Sequence, residues 1–128
     1  MHPFRAAVEA GDIDAAIALL AEDVVFRSPV VFTPYEGRQA VAPILHAVFH
    51  VFEDFRYTRE IGAEGAADHA LVFEARVGEK TLEGIDILHA DAQGQITEFV
   101  VMVRPLQGTL ALAAAMKALL EQFSAPGD

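Results

Sequence analysis

One stretch of the chain, from Gly84 to Ile96, constrains the fold more than any other. It reads GIDILHADAQGQI: an apolar run, an acidic turn that contains glycine, and the beginning of a second apolar run. Asp91 can bond to the backbone of its own turn and Gly94 can adopt a positive φ, so the two runs are predicted as strands joined by a short turn. Asp86 has no such local partner, and a carboxyl group inside a core must be paired, hydrogen-bonded or neutral. The stretch therefore predicts a sheet with a polar site in its core.

Signals for helices come early in the chain, and signals for strands follow. Asp12 is a predicted N-cap, and Pro3 suits the first turn of a helix that Gly11 ends. Apolar spacing and turn residues give the other boundaries. The predicted helices are Pro3 to about Glu9–Ala10, Ile13–Ala21, Arg38 to about Phe52 and Thr109–Phe123, and the predicted strands are Val24–Phe26, about Phe55–Ile61, Ala70–Val77, Thr81–His89 and Ile96–Arg104.

Helices followed by an antiparallel sheet indicate the α+β class. We expect a single domain over 1–128, with its core at about 3–105, an extra C-terminal helix at about 109–123 and an irregular tail at 125–128.

Charge and composition narrow the range of partners. The 128 residues include 19 acidic and 9 basic side chains, for a net charge of −10, and no cysteine. Nucleic acids and anionic membranes attract basic faces, so neither is expected as a partner, and thiolate metal sites are excluded. The apolar runs are too short to span a membrane and the N-terminus lacks a signal-peptide pattern, so a cytoplasmic location is expected. The sequence implies no cofactor.

The helix that begins at Arg38 carries an apolar face, and the last strand is apolar on both faces. The helix face consists of Val41, Ile44, Leu45, Val48, Phe49 and Phe52, with Phe55 beyond it. Phe99–Val103 has no polar side, whereas a half-exposed antiparallel strand alternates. One face of the sheet is therefore predicted to lie under the helices. The other is predicted to lie against a second copy, which gives a homodimer, or under the C-terminal helix.

Two histidines on the same helix have the spacing of metal ligands. His46 and His50 are four residues apart, as two imidazoles that share a metal ion on a helix are. Both lie away from the apolar face, and the sequence specifies no third ligand. Exposed or interface histidines are the favoured interpretation, so no metal site is predicted.

Four segments carry a resemblance to a known family: Gly11–Ala15, Leu20–Phe26, Glu36–Val41, and the strand at Ile85–Asp86 with Asp91–Ile96. In them the chain resembles the nuclear transport factor 2-like superfamily, in its SnoaL-like and ketosteroid isomerase-like branch. The resemblance covers about 3–105 and implies a cone-shaped, curved antiparallel sheet wrapped around N-terminal helices. It says little about activity, because this fold hosts many functions.

The resemblance also aligns single residues with the isomerase site. Asp86 stands where ketosteroid isomerases keep an aspartic acid that is neutral at pH 7. Phe4 stands at the position of their tyrosine, and Ser28 at that of the general-base aspartate. A phenyl ring has no hydroxyl, and serine cannot abstract a carbon-bound proton unaided. Isomerase activity is therefore not expected.

The catalytic residues of epoxide hydrolases and polyketide cyclases are also mostly replaced in this chain. Phe26 and Ser28 stand where the hydrolases hold the attacking water, and Arg76 aligns with their strand arginine. Gly78 stands where the partner aspartate of that arginine is expected, and Val101 replaces a carboxylate of the last strand. A hydrolase or cyclase would need another acid.

Glu74 is the nearest other acid. The apolar alternation of its strand turns Glu74 and Arg76 outward, whereas the resemblance to hydrolases turns them inward, and a strand without a bulge allows only one of these. Both orientations stay open at this point.

Two hypotheses for function remain, beside a purely structural or interaction module. In the first, the protein binds a small apolar ligand, whose carbonyl or hydroxyl group is bound by Asp86. In the alternative, it is an isomerase, cyclase or hydratase that acts on a small hydrophobic carbonyl compound and uses Asp86 with Glu74 or His50. The predicted catalytic residues are Asp86 and Glu74, and the predicted pocket residues are Phe26, Ser28, Tyr35, Phe49, Phe52, Arg76, Phe99, Val101 and Val103.

Overall fold

A computed structural model describes residues 1–123 of the chain. Its helices are α1 (Pro3–Glu9), α2 (Ile13–Ala18), α3 (Arg38–Val51) and α4 (Leu106–Phe123). Its strands are β1 (Leu20–Arg27), β2 (Tyr35–Glu36), β3 (Glu53–Ile61), β4 (Asp68–Val77), β5 (Lys80–Ala90) and β6 (Ile96–Arg104). The predicted tail at 125–128 lies outside the described residues.

The strands form one curved, open sheet in the order β2-β1-β6-β5-β4-β3. The neighbours from β3 to β6 are antiparallel, as predicted. β1 pairs with β6 in parallel, which corrects the prediction of a wholly antiparallel sheet. The chain passes through α3 and four further strands between β1 and β6, and a long connection of this kind is what a parallel pair needs. The α+β class and the extra C-terminal helix are confirmed, but the helix begins at Leu106, directly after Pro105, rather than at the predicted Thr109.

The first helices follow their capping signals, but α2 is shorter than predicted. Asp12 Oδ1 accepts a hydrogen bond from the N–H of Ala15 at 3.0 Å, so the predicted N-cap is confirmed. The helix ends before the predicted Ala21, because Leu20 is already paired with Ile96 in the sheet. Pairing with a strand distant in the sequence therefore overrides the local helical pattern.

The register of the strands decides which side chains face the helices. The buried inner face of β4 to β6 consists of Leu71, Phe73, Ala75, Val77, Leu82, Gly84, Asp86 and Leu88 with Phe99, and the half-buried Val101 and Val103 continue it along β6. Gly84 is required there, because a Cβ atom would come within 2.2 Å of the ring of Phe73. The apolar alternation of β4 is confirmed, and the inward orientation of Glu74 and Arg76 is wrong.

Helix α4 lies on the inner side of the sheet. Leu112 and Met116 are buried there, and Gly108 lies so close to Leu82 that a Cβ atom would be 2.8 Å from the leucine Cβ. The alternative that this helix covers the outer face is therefore wrong. Nothing in residues 1–123 covers the outer face, where Met102 is 55% exposed. No helix in the same range is long and apolar enough to cross a membrane.

Candidate functional site

A small cavity lies between the inner face of the sheet and the helices α3 and α4. Sixteen residues line it, and they are Phe26, Ser28, Pro29, Val30, Ile44, Leu45, Val48, Phe49, Phe52, Phe55, Phe73, Asp86, Phe99, Val101, Leu112 and Met116. Its volume is about 50 Å³, which is enough for several water molecules and well below the roughly 300 Å³ of a drug-sized site. Asp86 is the only ionisable side chain among these described residues.

Four phenylalanines explain why the cavity is small. The ring of Phe55 lies 5.3 Å from that of Phe49, 5.6 Å from that of Phe52 and 5.0 Å from that of Phe73, measured between centroids. The end of α3 and the beginning of β3 supply three of these rings, so the turn between the two elements fills one end of the inner space. The remaining space lies beside Asp86.

The carboxyl group of Asp86 is hydrogen-bonded to Tyr57, which lies on another strand. Asp86 is 4% exposed, and Tyr57 Oη donates a hydrogen bond to its Oδ2 at 3.4 Å. Burial raises the pKa of Asp86 to about 8, although the bond from Tyr57 lowers it. Burial and the charge of Asp86 likewise raise the pKa of Tyr57, so the phenol stays protonated. Below pH 8 the site is therefore a neutral carboxylic acid in apolar surroundings.

The structure brings seven of the predicted site residues together around the cavity. These are Phe26, Ser28, Phe49, Phe52, Asp86, Phe99 and Val101. Ser28 Oγ accepts a hydrogen bond from the N–H of Val30 at 3.1 Å, so the hydroxyl is tied to its own loop. The roles of these residues in binding or catalysis stay predictions.

Four predicted site residues lie elsewhere. Glu74 and Arg76 are on the outer face, where Glu74 forms an ion pair with Arg56, and Arg76 forms one with Asp54 at 3.0 Å. The two follow the alternation of β4, so they cannot accompany Phe73 to the inner face. Tyr35 and Val103 are the other two; neither lines the cavity.

The positions of Tyr35 and Val103 have local causes. Tyr35 is in the two-residue strand β2, and its ring packs 6.2 Å from that of Phe26, at the edge of the sheet. Val103 lies further along β6, where its carbonyl oxygen accepts a hydrogen bond from Thr109 Oγ1 at 3.1 Å. This bond ties the first turn of α4 to the end of β6, away from the cavity.

The histidines of α3 are not part of the cavity. His46 and His50 are exposed, and His46 Nε2 lies 3.0 Å from Asp14 Oδ1. No group of three or more potential metal ligands occurs in the part of the chain that the structure describes. His50 therefore does not accompany Asp86, as the enzyme hypothesis requires.

Sequence reasoning missed Tyr57 and the contribution of α4. The alternation of Phe55 and Tyr57 would have indicated that both face inward, but β4 separates Tyr57 from Asp86, and the contact between them joins strands that are not neighbours in the sheet. Leu112 and Met116 of α4 line the cavity, whereas the sequence indicated this helix only as an alternative cover for the outer face of the sheet. Their spacing of four residues was the available signal.

The chain is similar to known proteins in sequence and in structure. The model of the SnoaL-like domain family matches residues 2–99, which is more than half of the chain. The chain belongs to this family. The predicted resemblance is confirmed, and α4 lies beyond the part of this SnoaL-like domain that the family model matches. No curated protein matches the chain.

Solved structures resemble this SnoaL-like domain over most of its length. A Pseudomonas aeruginosa protein described as a steroid delta-isomerase is 41% identical, with a TM-score of 0.88 over 94% of this chain and 88% of its own. A Silicibacter pomeroyi protein with a cystatin-like fold is 38% identical, with a TM-score of 0.88 over 97% and 89%. The epoxide hydrolase/cyclase-like enzyme SalBIII is 16% identical, with a TM-score of 0.65 over 82% and 87%, a likeness of fold alone.

Proposed function

We propose that this SnoaL-like domain binds a small apolar molecule that carries one hydrogen-bond-accepting oxygen, and that Asp86 binds that oxygen. The observation that carries the proposal is a single ionisable side chain among the described residues that line an apolar cavity. Concave apolar sites with few polar groups are the usual form of small-molecule sites.

The protonation of Asp86 supports an accepting oxygen on the ligand. A neutral carboxyl group can donate a hydrogen bond to a carbonyl or ether oxygen, whereas an ionised one only accepts. Because burial raises the pKa of Asp86 to about 8, the donor is present at neutral pH. Binding of such a ligand is expected to weaken as the pH rises above 8.

A second candidate, isomerase activity, is favoured by one observation, the 41% identity to the P. aeruginosa protein described as a steroid delta-isomerase. Moving a carbon–carbon double bond requires a base that carries a proton between two carbons. Glu74 is paired with Arg56 on the outer face, and His50 is exposed. Binding is therefore the function that the geometry supports better.

Two probes of equal ring size test the binding proposal. At pH 6 we expect Asp86 to raise the affinity for cyclopentanone but not that for cyclopentane, in titrations followed by NMR. Asp86→Leu keeps the shape of the side chain. It should lower the affinity for cyclopentanone about tenfold, which is the effect of one lost hydrogen bond, and should change the affinity for cyclopentane little.

Glu74→Leu is the matched control, because it removes a carboxyl group from the outer face, and it should leave both affinities unchanged. A ratio of the two affinities that is the same in Asp86→Leu as in the wild-type protein would overturn the proposal. Conversion of a Δ5-3-ketosteroid to its conjugated isomer, followed by absorbance and lost in Asp86→Leu, would favour the isomerase instead.

A further inference from the structure

We propose that Tyr57 is a positioning residue that holds Oδ2 of Asp86, so that the other oxygen, Oδ1, presents its proton to the cavity and the site selects hydrogen-bond acceptors over donors. The inference rests on the proposed function and specifies the class of ligand. It assigns a role to the second buried polar group of the core, which lies outside the set of residues that line the cavity.

Asp86 and Tyr57 line two different spaces. Asp86 lines the cavity, whereas Tyr57 lines a groove between the end of α1, the beginning of α2, α3 and β3, and the rings of Phe49 and Phe55 line both spaces. Arg5 of α1 lies over the ring of Tyr57, with its Cζ atom 5.8 Å from the centroid. Tyr57 is 7% exposed and so has a fixed place from which it reaches Oδ2.

The chemistry of the pair assigns the protons. A phenol that stays protonated has one proton, and in the described part of the chain Asp86 is its hydrogen-bond partner. Oδ2 therefore accepts from Tyr57. The proton of a neutral carboxyl group then resides on Oδ1, which is free to donate to a ligand. A ligand that offers only a donor would meet the donor of Asp86 and leave one of the two groups without a partner.

Few other charges act on this pair. Leu71 and Val101 flank Asp86 on β4 and β6, and the residues of α3 and α4 that line the cavity are apolar. The charged neighbours on α1, Arg5 and Glu9, act on Tyr57 rather than on Asp86. Burial disfavours the ionised form of Asp86, and the hydrogen bond from Tyr57 is the interaction that favours that form.

Tyr57→Phe tests the positioning role directly. The variant keeps the ring and removes the hydroxyl, and we expect the midpoint of the Asp86 titration to rise by about one pH unit, because a bond to the ionised carboxylate is lost. The titration is measured by NMR on the 13C-labelled side-chain carboxyl of the free protein, with the resonance assigned by its loss in Asp86→Asn. Tyr35→Phe is the matched control, since the chain has two tyrosines and Tyr35 lies outside the cavity.

The selection for acceptors is tested with cyclopentanone, which only accepts, and pyrrole, a ring of the same size that donates through its N–H group. At pH 6 the wild-type protein should prefer cyclopentanone about tenfold, and Tyr57→Phe should reduce this preference to within about threefold, because a free carboxyl group can turn either oxygen toward the ligand. Above pH 9 the wild-type preference should reverse, since an ionised carboxylate accepts.

The outcomes separate the two proposals. An unchanged midpoint in Tyr57→Phe, or an unchanged preference between the probes, overturns the positioning role. If neither probe binds the wild-type protein, the proposed function and the selection for acceptors both fail, and the NMR titration of the free protein still decides whether Tyr57 holds Asp86.

Discussion

At the scale of a residue, burial of Asp86 connects the site with the stability of the domain. Burial raises the pKa of this carboxyl group to about 8 in the folded protein, whereas in the unfolded chain it returns to about 3.9. Between these two values the folded protein binds one proton more than the unfolded chain. The free energy of unfolding therefore decreases as the pH rises from about 4 to 8 and levels off above.

Asp86→Asn should remove this pH dependence. Asparagine does not titrate and still accepts the hydrogen bond from Tyr57. From pH 5 to pH 8 the free energy of unfolding of the variant should therefore rise by about 3 to 4 kcal/mol relative to that of the wild-type protein. Urea denaturation of both proteins at the two pH values measures the change. A constant difference between them would mean that Asp86 is ionised in the fold at pH 5.

Glu74→Gln is the control for that measurement. It neutralises a carboxyl group on the neighbouring strand, where Glu74 forms an exposed ion pair with Arg56. Exposed pairs contribute little, so its effect on the free energy of unfolding should stay below about 1 kcal/mol at either pH.

The two polar residues of the site differ in how far the sequence reveals them. Asp86 is visible because a carboxyl group interrupts an apolar strand, and this pattern depends on local sequence alone. Tyr57 is not visible as its partner, because the contact joins β3 to β5 across β4, and no local pattern in the sequence pairs these two strands. Strand alternation gives the face on which each residue lies; the distance between their side chains requires the three-dimensional structure.

At the scale of elements, the turn and capping residues gave most boundaries, and pairing between distant segments caused the error at the end of α2. β5 and β6 begin and end within a residue of the prediction, because Asp91 and Gly94 mark the turn between them. The end of α2 was wrong because Leu20 pairs with Ile96, far along the chain. The side on which α4 packs could not be predicted, because β6 is apolar on both faces.

Leu112→Ala tests how α4 encloses the cavity. Leu112 is 2% exposed and lines the cavity. Its truncation should lower the free energy of unfolding by about 2 to 5 kcal/mol and enlarge the space beside Asp86. Urea denaturation measures the first effect. For the second, cyclohexanone and cyclooctanone should gain affinity relative to cyclopentanone, when each is titrated against the variant and the wild-type protein.

Leu110→Ala supplies the control on the same helix. Leu110 is 53% exposed, so the same substitution should change the free energy of unfolding by less than about 0.5 kcal/mol. The relative affinities for the three ketones should stay as in the wild-type protein. An equal cost at the two positions would show that α4 does not pack against the sheet through Leu112.

At the scale of the whole molecule, the outer face of the sheet has an apolar centre and a charged rim. The apolar side chains at its centre are Val72, Ile85, Ile87, Val100 and Met102. Ion pairs of Arg56 with Glu74 and of Arg104 with Glu83 lie along one side of it. Helix α4 packs on the inner face, so of the two predicted covers for this centre the homodimer remains, and it stays a prediction.

The homodimer is testable by mass. An interface of ordinary size would cover about 800 Å² on each copy, and one chain has a surface of 7424 Å². Light scattering after size exclusion should give twice the chain mass of 13.8 kDa, and Met102→Glu, which introduces two facing carboxylates, should give the single mass. Leu110→Glu, at an equally exposed apolar position on α4, should stay dimeric.

Because each copy carries a net charge of −10, added salt should screen the repulsion between the two copies and strengthen the dimer. A wild-type protein that is monomeric at micromolar concentration in both low and high salt would contradict the prediction.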